Sequence, residues 1–555
     1  MKSRPEALRE LASRTFDVCV IGAGATGAGC ALDAQLRGLA TALVDAADFG
    51  SATSSASTKL VHGGVRYLQE AVMHADVKQF HVVKHALRER ARMLRNAPHL
   101  AHPLEFIVPC FSTFELAYYG IGMKMYEWIA SHASLGRSRI LSKTATLAEF
   151  PGLKSDSLRG SVSYWDGQFD DARFCIALAK TFANAGGETA NYLRVVAFEK
   201  NSDGKLVAVV VDDRVSGQKL VIRAQRFINA TGPFSDRLRS LANPDAPIKL
   251  APSKGVHILL PLEDSVSRAL LIPKTEDGRV IFAIPWLGRL LVGTTDQEVD
   301  VDDELVVTQS EVEYLLRHLN HYSSRQYRPG DVVSVFAGMR PLVRSGHART
   351  KELARDHVVE VDQATGLISI LGGKWTTYRY MAEQTIDVLQ KELQLTQHGR
   401  AVMPTKSRDH LVAGGQGYTP TYWQTLVREN ALDENVARHL AQKFGTEATA
   451  VLELMTKQPE LRLPIVDQAA PIRAEIVYCG RAEMACTIED VLARRIGLQF
   501  YSLDMALAAV PVVASLLAEE QGWSKQQEAD ASTDYTRKLM RMQHAMAGPA
   551  LASQA

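Results

Sequence analysis

Gly22, Gly24 and Gly27 stand in G-x-G-x-x-G spacing, and the next apolar run, residues 40–44, ends in the acid Asp45. Each of these residues has a physical task around a pyrophosphate. The first glycine permits a tight turn from strand to helix, the second lets backbone approach the phosphates, and the third lets helix pack close on strand. The helix N-terminus favours negative charge, and Asp45 accepts hydrogen bonds from a ribose. The flanking pattern supplies the elements this chemistry needs. A β-prone run at residues 17–21 precedes the glycines, and an Ala/Leu-rich helical pattern continues to Gly38. The spacing therefore predicts a strand–helix–strand dinucleotide unit.

A dense polar run follows. TSSASTKLVHGGVRY (residues 53–67) carries Thr53, Ser54, Ser55, Ser57, Lys59, His62, Gly63, Arg66 and Tyr67. Its hydroxyls and amides suit a pyrophosphate, and its glycines admit a flat ring. Far along the chain RFINATGP (residues 226–233) ends a second β-like run in Ala230, Thr231 and Gly232, and LGGKWTTYR (residues 371–379) brings Gly372, Gly373, Lys374 and Thr376. One such unit followed by repeated returns of the chain resembles FAD-dependent oxidoreductases rather than NAD enzymes. As an isolated tetrapeptide, ATGP is also an ordinary strand-to-turn transition.

Taken in order, TSSASTKLVHGGVRYL, INATGP, GMRPLV (residues 338–343), LGGKWTTYR and VYCGRAEMACTIEDVLARR (residues 477–495) resemble the FAD-dependent, quinone-linked glycerol-3-phosphate dehydrogenase family, within the glycine/D-amino-acid oxidase fold. The resemblance spans about residues 16–539. Asp45 departs from it, since such flavoproteins often carry Glu there. It implies non-covalent FAD and oxidation of sn-glycerol 3-phosphate to dihydroxyacetone phosphate, with electrons passed to a membrane quinone. It also implies a phosphate and substrate clamp of Arg340, Arg355 and Lys374, joined by Arg66 and Tyr67; Arg344 and Arg349 lie close enough in sequence to be mistaken for members. His257, in SKGVHILLP, becomes the candidate base for the C2 hydroxyl proton, with His62 as rival; a histidine on an apolar strand also has a purely structural reading. Two other functions stay open: an amine or amino-acid oxidase of the same fold that uses oxygen, and a flavin-holding assembly or sensor protein. No H-E-x-x-H, C-x-x-C or G-x-S-x-G pattern is present, so neither a metal site nor serine hydrolysis is expected.

The elements that must position these residues follow from periodicity. The expected fold class is α/β plus antiparallel β: a Rossmann-like FAD-binding domain, a mixed α+β substrate domain and a C-terminal all-helical domain. Residues 1–400 form the oxidoreductase region, with cofactor segments near 16–75, 186–235 and 365–395 and substrate segments near 76–185 and 236–364. Residues 401–545 form the helical domain and 546–555 a flexible tail. Hairpin signals pair residues 206–212 with 220–223, 280–284 with 290–294, and 358–362 with 367–371, and suggest an antiparallel sheet beside the nucleotide domain.

Bulk composition narrows the partners. Sixty-three Lys and Arg against 62 Asp and Glu leave no global field to attract nucleic acid. Six scattered cysteines read as small buried hydrophobes of a reducing compartment. The N-terminal stretch lacks the apolar core of a secretory signal, and no run reaches the ~20 apolar residues of a spanning helix. The expectation is a cytoplasmic protein, peripheral on the inner face of the cytoplasmic membrane and drawn to its anionic surface; a homodimer stays open. Residues 111–130, rich in aromatics and Met, are the candidate contact, with the Lys/Arg-rich residues 76–95 as electrostatic helper.

Overall fold

The computed structural model describes residues 1–64, 77–262, 266–302, 305–344, 357–396, 401–467 and 469–547. A parallel sheet runs Ile368–Gly372, Lys219–Asn229, Thr15–Ile21, Thr41–Val44, Glu188–Ala190. Successive strand residues point to opposite faces, and both faces of this sheet are covered. Val18 and Val20 enter the core beneath helices Ala25–Leu36 and Tyr378–Thr396, while Cys19 and Ile21 enter the core on the other side. Double-sided burial explains why residues 18–21 and 42–44 read as continuous apolar runs.

The hairpin at Leu206–Asp213 and Lys219–Asn229, and that at His357–Val361 and Ile368–Gly372, form as the sequence suggests. They do not lie in a separate sheet, however. Both are grafted onto the nucleotide sheet, because Phe227–Asn229 continues alongside Cys19–Ile21 and Ile368 pairs with Ile228. The second sheet has ten strands and is mostly antiparallel, with Leu250–Pro261 held between Arg289–Gly293 and Ser334–Val343. The third hairpin belongs here. Its turn residues Leu287 and Gly288 both have positive φ, 49° and 69°, the backbone a two-residue turn needs to follow strand twist.

C-terminal helices Tyr422–Asn430, Glu434–Phe444, Ala448–Lys457, Arg473–Glu483 and Leu503–Gln521 match the helical reading. Their apolar faces merge with the second sheet: Leu440, Val451, Ile476 and Val513 share one contiguous core with Val256, Ile258 and Val335. All six cysteines are buried and unpaired.

Candidate active site

The glycine loop is locked by close approach. A Cβ on Gly22 would stand 2.6 Å from the Ala230 carbonyl oxygen, one on Gly24 2.9 Å from Ser54 Oγ, and one on Gly27 1.7 Å from the Gly22 carbonyl oxygen. Gly22 also has φ +100°, which side chains rarely adopt. The run Ala230–Gly232 is thus a wall of the loop: Ala230 N–H donates to Ile21 O, and the Thr231 hydroxyl to Asn229 Oδ1. Ser54 Oγ accepts from Ala25 N–H at the first turn of the Ala25–Leu36 helix. Asp45 Oδ2 accepts from Ala23 N–H at 2.6 Å and Oδ1 from Ala47 N–H at 3.0 Å; burial pushes its pKa up to about 6 despite both bonds. A helix N-terminus, side-chain-free backbone and an acid at the end of the next strand fit FAD; the helix would hold its phosphates and Asp45 its ribose.

The second sheet supplies the opposite side. Register pairs Ser253 with Arg340, Gly255 with Gly338, and His257 with both Phe336 and Gly293. Residues two apart share a face, so His257 and Arg340 project together over a floor of glycines. The glycines are needed: a Cβ on Gly293 would lie 2.1 Å from His257 Cδ2, one on Gly255 2.3 Å from Arg340 Nη2, and one on Gly338 2.6 Å from the Ala56 carbonyl oxygen. The residue 53–58 segment therefore crosses directly above Gly338, pinned by the Thr53 hydroxyl on Met339 O at 2.5 Å.

The second sheet, the segment from Thr53 to Gly64 and the turn at Gly373–Thr376 line one cavity of about 870 Å³; the glycine loop, Asp45 and Ala230–Gly232 are not among its lining residues. Thr53, Ser57, His62, His257, Arg340, Gly373, Lys374 and Thr376 all line it. Among its described lining residues four cations, Lys274, Arg279, Arg340 and Lys374, face two carboxylates, Asp166 and Asp296. Arg340 is oriented from its ends: Nη1 donates to Asp296 Oδ1 at 3.1 Å, and Nη2 to Thr294 Oγ1 and Thr295 O at 3.1 and 3.0 Å. His257 is 2 % exposed, stacks on Phe336 with ring centroids 4.7 Å apart, and has Nε2 3.0 Å from the Thr58 hydroxyl. Burial, with Arg340 and Lys59 nearby, drives its pKa well below the usual histidine value. Its Nδ1 has no hydrogen-bond partner among the described residues. At the other end of the cavity Tyr126 OH accepts the Gly63 N–H at 2.7 Å and donates to Asp166 at 2.9 Å, while Arg90 holds that carboxylate at 2.7 Å.

Several expected site residues have other partners. Lys59 is fully buried, with its ammonium on Asp171 at 2.6 Å and on Ser55 O, surrounded by Trp286, Phe336 and Phe500. Ser57 donates to the same Asp171, and buried Ser55 bonds within its own turn. Lys59 and Ser55 thus brace the polar segment instead of lining the cavity. His62 offers its backbone N–H to Thr376 Oγ1 and faces Phe282. Gly372 and Gly373 have φ of +74° and +90°, turning the chain so that Lys374 reaches the cavity. Arg344 Nε is committed to Leu250 O. Arg66, Tyr67, Arg349 and Arg355 lie outside the described residues. Sequence reasoning missed Thr58, Tyr126, Asp166, Gly255, Gly293, Thr294, Asp296 and Phe336; the sequence offers a signal only for Gly293-Thr294-Thr295-Asp296, a polar run closing an apolar strand.

Comparison with known proteins agrees with this geometry. Residues 17–379 match the FAD dependent oxidoreductase family, and residues 405–528 match the C-terminal domain of alpha-glycerophosphate oxidase. The mitochondrial glycerol-3-phosphate dehydrogenase of Homo sapiens is 42% identical over 528 residues, covering 92% of this chain and 72% of that protein. The mitochondrial enzyme of Arabidopsis thaliana is 37% identical, covering 93% and 85%. The structure of the glycerol-3-phosphate dehydrogenase from Bacillus halodurans complexed with FAD superposes with a TM-score of 0.80 at 30% identity, covering 98% of each chain. With its glycine-loop cradle and paired sheets, the chain belongs to the FAD-dependent glycerol-3-phosphate dehydrogenase family.

Proposed function

We propose that this protein oxidises sn-glycerol 3-phosphate to dihydroxyacetone phosphate and passes the electrons to a membrane quinone. The observation that carries the reading is the convergence of His257, Arg340 and Lys374 with the residue 53–58 segment on a single cavity. Bound FAD supplies a ring that accepts two electrons as hydride from C2. The protein does the rest. Neutral His257 takes the C2 hydroxyl proton, its plane fixed by Phe336 and its Nε2 by Thr58. Arg340 and Lys374 bind the phosphate, whose oxygens compete with Asp296 and Thr294 for the guanidinium. The excess of cations at the cavity favours a phosphate ester over a simple amine. By this reading Arg66, Tyr67 and Arg355 complete the clamp.

The quinone reading rests on helix Thr113–Ala130. Its outward side chains Phe114, Ile121 and Trp128 are 76%, 65% and 76% exposed, with Ile140 beside them at 64%. Tyr118, Tyr119, Met123 and Met125 of the same helix line the apolar end of the cavity. No described helix is long and apolar enough to cross a membrane. An apolar face at the mouth of the cavity suits peripheral docking on the inner face of the cytoplasmic membrane and entry of a lipid-soluble acceptor. The test is anaerobic addition of glycerol 3-phosphate to the yellow protein, then re-oxidation by a quinone or by oxygen. Bleaching followed by fast quinone re-oxidation is expected. Absence of bleaching in flavin-loaded protein overturns the substrate, and re-oxidation by oxygen alone overturns the acceptor.

A further inference from the structure

The run Val477–Arg495 stands far from the substrate cavity in sequence, and it ends in two arginines whose partner lies in the nucleotide unit. Asp48 is 0% exposed and sits in the loop that follows strand Thr41–Val44. It accepts from Arg494 Nε at 2.6 Å, Arg495 Nη2 at 2.9 Å and Asn191 Nδ2 at 3.0 Å. Against the effect of burial, Arg495 and Arg494 hold its pKa down to about 2. The same loop grips the glycine loop at both polar groups of Ala23: Asp45 takes the Ala23 N–H, and Gly50 N–H donates to the Ala23 carbonyl at 3.1 Å. Tyr192 ties the loop a second time. Its N–H donates to Ala47 O at 2.9 Å, while its hydroxyl donates to Asp490 Oδ1 at 2.7 Å, in the turn that carries the arginines.

We propose that the C-terminal helical region is a working part of the FAD site: Arg494 and Arg495, acting through Asp48, hold the residue 45–50 loop in the conformation that sets Asp45 against the cofactor ribose. They are positioning residues, because Asp45 and the glycine loop are what meet FAD. A purely adhesive role is separable. The region is also anchored by the bidentate Arg173–Glu483 pair at 2.7 and 2.9 Å, whose Glu483 also contacts Arg495, and by the Lys443–Asp170 pair at 2.6 Å, which contacts neither Arg494 nor Arg495 nor the residue 45–50 loop. Loss of the Asp48 contact therefore loosens the cofactor loop while the region stays docked.

The experiment compares Asp48→Asn, Arg494→Lys and Lys443→Gln in the full-length chain. Two quantities are read: the FAD dissociation constant by flavin fluorescence on re-addition to stripped protein, and the thermal midpoint of the stripped protein. Weakening of FAD by about tenfold or more is expected for Asp48→Asn and Arg494→Lys, the size of one hydrogen bond between charged groups. Lys443→Gln, which removes the anchor to Asp170, should lower the thermal midpoint with little change in FAD affinity. Arg494→Lys keeps the buried charge and carries the test if Asp48→Asn does not fold. Wild-type affinity in the folded loop variants overturns the proposal, as does equal weakening in Lys443→Gln. The inference rests on the FAD reading, and a wild-type protein that takes up no FAD would defeat that reading separately.

Discussion

As the proposed base, His257 has surroundings that keep its ring neutral. An ordinary histidine is half protonated near pH 6.5 and would lose its function on the acid side of that value. Burial beside Arg340 and Lys59 favours the neutral ring, so the acid limb of flavin reduction by substrate should lie well below pH 6.5 in stopped-flow measurements. A break at 6.5 would assign the limb to another group. His257→Ala should slow reduction by about 100-fold while leaving substrate affinity nearly unchanged, the usual contribution of a general base. A wild-type rate would move the role to His62. Arg340→Lys keeps charge but loses the planar fork that Asp296, Thr294 and Thr295 orient. A loss of about 1.5–3 kcal/mol in kcat/KM with unchanged flavin content is expected. Unchanged kcat/KM would remove Arg340 from the clamp. Residue identity at these positions was legible from short motifs. The floor beneath them was not, because Gly255, Gly293 and Gly338 share no spacing; only the pairing of three strands reveals that each makes room for another strand's side chain or for Ala56.

Helix Thr113–Ala130 shows what a segment pattern conveys and what it omits. Its composition marks it as apolar, yet apolar side chains occur all around it, so the sequence does not say which face is outward. The structure buries Met123, Tyr126 and Ile129 and exposes Phe114, Ile121 and Trp128. The expected helper, helix Val77–Asn96, is less basic at its surface than its sequence suggests. Arg90 is buried on Asp166, and Arg92 pairs with Glu89, while Arg88 and Arg95 stay exposed. Membrane attachment should therefore depend more on apolar insertion than on charge. Phe114→Ser combined with Trp128→Ser, neither of which lines the cavity, should abolish flotation with anionic vesicles at low salt. Turnover with a soluble dye acceptor should survive, because full burial of one large apolar side chain contributes about 1.5–3 kcal/mol and two dominate partition. Flotation retained by the double variant would place the contact elsewhere. The hairpins carry the same lesson: turn residues disclosed each hairpin, but the choice of sheet depended on Ile228 and Ile368 finding each other.

For the molecule as a whole, buried neutral histidines set an acid limit. His99 is 6% exposed, and burial with Arg173 nearby pulls its pKa down to about 3. The unfolded chain takes up a proton at this residue below pH 6.5, and the folded chain does not until about pH 3. Stability should thus fall as pH drops through this window, by about 1.4 kcal/mol per unit from this group alone. The thermal midpoint of His99→Gln measured from pH 7 to 4 should fall less steeply than that of the wild type. Equal slopes would mean that His99 is charged when folded. A change from strand to helix signals near residue 373 was visible in the sequence, where it suggests an oxidoreductase region followed by a helical one. The continuity of their core was not, because it depends on contacts between residues hundreds of positions apart. Val256 and Val335 share one apolar core with Leu440 and Val513, and the Arg173–Glu483, Lys443–Asp170 and Asp48–Arg494 pairs join the same two regions. The boundary between the two regions is thus a frontier in sequence, while their described residues share one core: a single peptide cleavage between the regions should leave two fragments with no separate way to bury that surface, and the nicked protein should persist as a non-covalent whole.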